Sequence, residues 1–133
     1  MVGDGEIDEG IVWEGMMAAH KYRLDNYILI LDNNGLQLDG TTDQVMPHLD
    51  LTRKAADFGF DTYEIDGHDM DQILETFDKI RAAKNGKPKF INAHTIKGKG
   101  VDFMENQAEW HGMAPNEQQY ASAMKQLGKE MEG

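Results

Sequence analysis

The spacing of apolar residues changes period several times along the chain, and each change marks an element. Between Glu9 and Leu24, Ile11, Met16, Ala19 and Tyr22 recur at three to five positions, the stripe of a helix. Asp25-Asn26 ends it, and Tyr27-Ile28-Leu29-Ile30-Leu31 follows without polar alternation, as in a strand covered on both faces. Asp32-Asn33-Asn34-Gly35 is turn chemistry, because Asn and Gly tolerate positive φ. Pro47 opens a predicted helix to Phe58 with Gly59 at its boundary, and Phe60 to Ile65 reads as a short strand. After the loop Asp66-Gly67-His68-Asp69, Asp69 is placed to cap a helix carrying Ile73, Leu74, Phe77, Ile80 and Arg81 to Lys84. Asn85-Gly86-Lys87-Pro88 breaks that helix, Lys89 to Ile96 is a third strand, and Lys97-Gly98-Lys99-Gly100 is a loop. A last helix from Asn116 to Gly128 puts Tyr120, Met124 and Leu127 on one face.

Strands that alternate with helices need crossovers, so the expected architecture is α/β, an open, mostly parallel sheet with helices on its faces. In such sheets ligands bind outside the carboxyl ends of the strands. Three loops would gather there: Asp32 to Leu38, Asp66 to Asp69, and Lys97 onward. Gly3-Asp4-Gly5 lies where a strand should end, with almost no strand before it.

Composition narrows the partners. The 133 residues suit one domain, with no internal repeat or low-complexity segment. Lys and Arg number 13 against 24 Asp and Glu, a net charge of −11, which speaks against nucleic acid and against anionic membrane surfaces as partners. A 40% hydrophobic, 28% charged mix is that of a folded domain, and no apolar run approaches the roughly 20 residues of a bilayer-spanning helix. The absence of cysteine excludes disulfides, thiolate metal sites and Cys nucleophiles. With Gly-Asp-Gly directly after Met1-Val2, no leader peptide is expected, and the reading is cytoplasmic.

Among residues that could carry chemistry, Gly3-Asp4-Gly5 offers a hard oxygen for Mg²⁺ or Ca²⁺ between glycines that let backbone approach a ligand. Asn34 could add its side-chain oxygen and the turn could expose the carbonyl of Leu36. Taken singly, both are ordinary turns. Together they are more specific, because the intervening stretch is one helix plus one strand, which returns the chain to the same sheet edge. His20, His48, His68 and His94 show no ligand spacing and receive no role, beyond His68 shaping its loop. The 9 methionines read as core filling.

Gly-Asp-Gly followed about thirty residues later by Asn resembles the thiamine-diphosphate binding motif, and within that superfamily the chain is similar to the transketolases. The resemblance rests on Gly3-Asp-Gly-Glu6 with Glu9-Gly10 and Trp13-Glu14, on Leu31 to Gly40, and on Asp66-Gly-His-Asp69. Thr95-Ile-Lys-Gly-Lys-Gly100 and Trp110-His-Gly-Met-Ala-Pro115 complete it, so that it runs from Gly3 to about Leu127. A 1-deoxyxylulose-5-phosphate synthase shares the Gly-Asp-Gly…Asn logic, but Asn33 to Gly40 and Trp110-His111-Gly112 favour transketolase.

The resemblance implies thiamine diphosphate and Mg²⁺ or Ca²⁺ as cofactors, with Asp4, Asn34 and the carbonyl of Leu36 as metal ligands and Gly5 against the diphosphate or its metal. Lys97 would sit beside the cofactor, and His111 would bridge its diphosphate and a sugar-phosphate substrate. Glu9 and Glu14 resemble the acidic residues that link two cofactor sites across the family's dimer interface. The implied activity is transfer of a two-carbon ketol group between phosphorylated sugars in the pentose phosphate pathway. Residues 1–133 correspond, by the same resemblance, to the later part of the family's diphosphate-binding domain. The chain alone is therefore expected to be inactive and to need self-association or further transketolase chains that bring the pyrimidine-binding domain. The competing expectation is a non-catalytic, self-associating remnant.

Overall fold

A computed structural model describes residues 1–130 of the chain. In chain order it contains strand β1 (Val2–Gly3), a 3₁₀ turn at Glu6–Asp8, helix α1 (Gly10–Lys21), strand β2 (Ile28–Asn33) and a small hairpin of β3 (Leu36–Gln37) and β4 (Gly40–Thr41). There follow α2 (Thr42–Val45), α3 (Leu51–Asp57), β5 (Asp61–Asp66), α4 (Met70–Ala82), β6 (Lys89–His94), a 3₁₀ turn at Ala108–His111 and α5 (Glu117–Glu130). The main sheet runs β1-β2-β6-β5, every pair parallel, while β3 and β4 form a separate antiparallel pair. The expected open parallel sheet is the one observed.

Strand order explains which face each helix covers. From β1 to β2 and on to β5 the chain steps one way across the sheet, and from β5 to β6 it steps back. Right-handed crossovers then put the first helices on one face and α4 on the other. Two cores result. Leu29, Leu31 and Phe90 pack with Met16 and Ala19 of α1 and Leu51 and Ala55 of α3. On the opposite face Ile91, Ala93 and Ile65 meet Ile80 of α4, with Ile28, Ile30, Ile73 and Phe77 around them. The β2 run is thus covered on both sides, but unevenly: Leu29 and Leu31 are buried, Ile28 and Ile30 only half-buried.

Local chemistry sets most boundaries. The Asp69 carboxylate accepts from the backbone N–H groups of Asp71 and Gln72, capping α4 where the sequence predicts. At the head of α5, Asn116 Oδ1 accepts from Gln119 N–H while Gln119 Oε1 accepts from Asn116 N–H, both at 2.9 Å, a reciprocal cap. Lys89 opens β6 fully buried, with its three ammonium donors at 2.8 Å from Asp61 Oδ2, 2.9 Å from Asn85 Oδ1 and 2.8 Å from the Lys87 carbonyl.

Several expectations need correction. The helix expected from Pro47 begins at Leu51, because Leu49 adopts a left-handed φ of +54° and Asp50 caps the helix through Arg53 N–H. The strand expected to Ile96 ends at His94, after which Thr95 N–H bonds the Asn33 carbonyl. On α1, Met16 and Ala19 are buried while Ile11 and Tyr22 are exposed, because at 3.6 residues per turn they lie roughly 130° from Met16. Leu74 on α4 and the stripe Tyr120, Met124 and Leu127 on α5 are also exposed, and α5 packs inward through Ala123. Among the described residues no helix is long and apolar enough to cross a membrane.

Candidate functional site

The carboxyl ends of β1, β2 and β6 open onto a cavity of about 530 Å³, lined among others by Asp4, Gly5, Asn34, Leu36, Lys97 and His111. Three segments far apart in the chain therefore meet where the topology of an open parallel sheet places a ligand. The Asp66–Asp69 loop does not line the cavity. It acts one step behind it, where His68 Nε2 accepts the backbone N–H of Ile96 at 2.8 Å and so fixes the residue before Lys97.

Asp4 is the centre of the arrangement. Its strand is two residues long, held by pairing of Val2 with Leu31 and Gly3 with Asp32. Directly after it, Asp4 Oδ2 accepts the N–H groups of Asn34 at 2.9 Å and Gly35 at 3.0 Å. Gly35 turns both donors back with φ +74°, a conformation in which glycine carries no Cβ penalty. Asp4 is buried, and its other oxygen, Oδ1, has no hydrogen-bond partner among the described residues. Burial pushes the Asp4 carboxyl above its ordinary 3.8, against the opposing pull of the two backbone N–H groups and of His48, while Asp32 pushes it further up. A buried carboxylate oxygen without a donor is costly unless a cation or a donor reaches it.

Around Asp4 the donor set is that of a hard cation. Asn34 Oδ1 accepts from Leu36 N–H at 3.1 Å and keeps a second lone pair, and the hairpin after it brings Leu36 to the cavity wall. Among the described residues no group of three or more His, Asp or Glu side chains is disposed to hold a metal. A cation here would thus have one carboxylate, an amide and a main-chain oxygen from the protein and take its remaining ligands from a bound anion and water, as Mg²⁺ on a diphosphate does. Gly5 lies on the wall, where a Cβ would stand 3.6 Å from Gln37 Oε1, so neither backbone strain nor packing demands glycine and its bareness leaves room on the ligand side.

Glu9 lines the cavity from the amino end of α1, whereas Glu14, one and a half turns on, is exposed and outside it. Lys97 is half-buried in the loop after β6, whose turn is closed by Asn106 N–H on the Lys97 carbonyl at 3.0 Å. His111 ends a 3₁₀ turn that Trp110 anchors, its indole N–H on the Phe103 carbonyl at 2.9 Å and its ring 5.5 Å from that of Phe103.

Sequence reasoning missed His48. Its Nε2 lies 3.0 Å from Asp8 Oδ1 and its Nδ1 3.8 Å from Asp4 Oδ1. Gln37, buried beside it, donates to Asp8 Oδ2 at 3.1 Å. His48 also lines a second, polar cavity of about 430 Å³ over β2, β6 and β5, with Asn33, Thr52, Glu64, Asn92 and His94. The only signal in the sequence was a histidine after Pro47, in a segment read as helix.

Comparison with known proteins finds relatives over nearly the whole chain. Residues 1–132 match the family described as transketolase, thiamine diphosphate binding domain. An apulose-4-phosphate transketolase subunit from Phocaeicola vulgatus is 40% identical over 132 residues, 99% of this chain and 47% of that protein. The 6-deoxy-6-sulfo-D-fructose transketolase subunit SqwG of a Clostridium species is 40% identical over 130 residues, 98% of this chain and 47% of that protein. Among solved structures, the transketolase of Campylobacter jejuni superposes with a TM-score of 0.86 at 31% identity, covering 95% of this chain and 20% of that one. The chain spans about half the length of these curated relatives.

Proposed function

The chain belongs to the transketolase family, and from that premise we propose that it binds the diphosphate of thiamine diphosphate with a divalent cation, as one half of a site for ketol transfer between phosphorylated sugars. The observation that carries this reading is Asp4: one oxygen gripped by two backbone N–H groups, the other buried and without a donor among the described residues, in a cavity at the carboxyl edge of the sheet. Asp4 Oδ1, Asn34 Oδ1 and the Leu36 carbonyl would hold Mg²⁺ or Ca²⁺, and Gly5 would lie against the diphosphate.

Charge supports a cation. The cavity lining includes Asp4, Glu6, Glu9, Asp32 and Asp39, with Lys97 as its fixed positive charge, so an unaccompanied diphosphate would be repelled. Lys97 would offset charge on the diphosphate side, and His111, on the same cavity, would serve as a donor between diphosphate and a substrate hydroxyl. Glu9 and Glu14 connect this site toward a second copy, Glu9 from the cavity wall and Glu14 from the exposed side of α1.

Bound thiamine diphosphate supplies a carbanion-stabilising centre, while the protein's part is placement, charge and proton transfer. On this reading the groups around the cofactor's pyrimidine would come from a further chain or segment. That several relatives are named as transketolase subunits supports a partner chain as their source.

Calorimetric titration of the chain with thiamine diphosphate and Mg²⁺ tests this. Binding that disappears without Mg²⁺ and in Asp4→Ala is expected. A folded chain that takes up no cofactor overturns the reading and favours a self-associating remnant.

A further inference from the structure

We propose that His48 is a positioning residue for the cation-facing carboxylate, separating the cofactor cavity from the polar cavity beside it and holding Asp4 and Asp8 so that Asp4 Oδ1 stays aimed at the cation. The inference rests on the cofactor reading above and adds to it a residue outside the motifs that point to that reading.

A carboxylate gripped at one oxygen can still pivot about it. Asp4 is gripped in that way, through Oδ2, by Asn34 and Gly35. What limits the pivot on the Oδ1 side is the imidazole edge 3.8 Å away, beyond hydrogen-bond range but in contact. The ring in turn is tied on its other nitrogen to Asp8 at 3.0 Å, and Asp8 is held a second time by the Gln37 amide at 3.1 Å. Only 9% of the His48 side chain is exposed.

The backbone around His48 is arranged for this placement. Lys54 Nζ donates to the His48 carbonyl at 2.7 Å, tying the segment to α3. The next residue, Leu49, is held at φ +54°, a conformation uncommon outside glycine and asparagine. Its side chain is 86% exposed, so no burial of Leu49 offsets that strain. The left-handed turn sends His48 inward instead. Because His48 lines one cavity and touches Asp4 in the other, removing its ring would join the two and admit water behind the carboxylate. Groups that orient a metal ligand commonly matter by 10–100-fold in metal affinity.

The test is titration of Mg²⁺ into the full chain in the presence of thiamine diphosphate, with thermal unfolding of the same samples without cofactor. His48→Ala should weaken Mg²⁺ binding by roughly tenfold or more. His48→Asn, whose amide keeps a polar group near Asp4, should recover most of the loss, and Asp8→Asn, which loosens the ring from its anchor without removing it, should weaken binding by less than His48→Ala. A His48→Ala chain that unfolds earlier but binds Mg²⁺ within about twofold of the parent has lost only structure, and the proposal fails. If His48→Ala does not fold, unchanged affinity in Asp8→Asn overturns it. A parent chain that binds no Mg²⁺ with thiamine diphosphate overturns the cofactor reading and this inference together, an outcome distinct from a parent that binds and a His48→Ala that binds equally.

Discussion

Asp4 and Asn34 are joined across the edge of the sheet by one hydrogen bond of 2.9 Å, from the Asn34 backbone N–H to Asp4 Oδ2. The bond satisfies one oxygen of a buried carboxylate, and among the described residues the other has no hydrogen-bond partner.

The cofactor-free fold therefore carries a cost at Asp4. Its folded pKa is raised above the ordinary 3.8, so the ionised form is the disfavoured one. That cost is fully present above the folded pKa and vanishes below the unfolded one. Asp4→Asn should raise the stability of the cofactor-free chain by about 1 kcal/mol at pH 7, with the gain fading as pH falls through the raised folded pKa and gone below pH ~4, while cofactor binding is lost. Urea unfolding of both chains at pH 7 and pH 3 reads the difference.

The opposite sign holds at the amino end of the sheet. Burial works against ionised Asp61, but hydrogen bonds and charge from Lys89, with help from Asn85 and Lys87, hold its carboxyl below the ordinary 3.8. A depressed carboxylate contributes stability above its unfolded pKa and loses it as pH falls through the folded value. Asp61→Asn leaves the fully buried Lys89 without its counter-charge and should cost about 2–3 kcal/mol at pH 7. In urea unfolding the gap to the parent should close only below pH ~4.

His68 should control the loop that carries Lys97. His68→Ala removes the acceptor of Ile96 N–H, a bond of 2.8 Å. Loss of about 1 kcal/mol locally corresponds to roughly fivefold faster amide exchange at Ile96, with little change in the exchange of core amides in β2. Uniform acceleration through β2 would show that the bond supports the whole fold instead.

Gly98 is constrained twice over. It sits at φ +73°, and a Cβ there would lie 2.5 Å from the Met104 carbonyl oxygen. Gly98→Ala should destabilise the chain by about 1–3 kcal/mol and displace Lys97. Thermal unfolding together with a thiamine diphosphate titration separates the two effects.

What the sequence made legible was what neighbouring residues decide. Asp69 caps α4 and Gly35 turns the chain after β2 because the required groups lie within a few positions. The parallel sheet followed from apolar runs separated by helices. Side-chain burial on α1 and α5 did not follow, because which stripe packs inward depends on neighbours that a local period does not specify. Ile11 and Tyr120 look like core in the sequence and stand in solvent in the fold. In the site, Asp4, Asn34, Lys97 and His111 were found by motif and do share one cavity. Glu14 does not reach it, and His48 escaped notice because its value comes from a left-handed turn at Leu49 and a tertiary approach to Asp4 and Asp8.

Asp4 follows β1 and Asn34 follows β2, neighbouring parallel strands paired through Val2 with Leu31 and Gly3 with Asp32. A one-residue slip of β1 against β2 would carry Asp4 about 3.3 Å from the Asn34 and Gly35 N–H groups and turn its side chain toward the other face. Register between these two strands and the geometry of the cation site are therefore one property, and a substitution that shifts the first would be read out in the second.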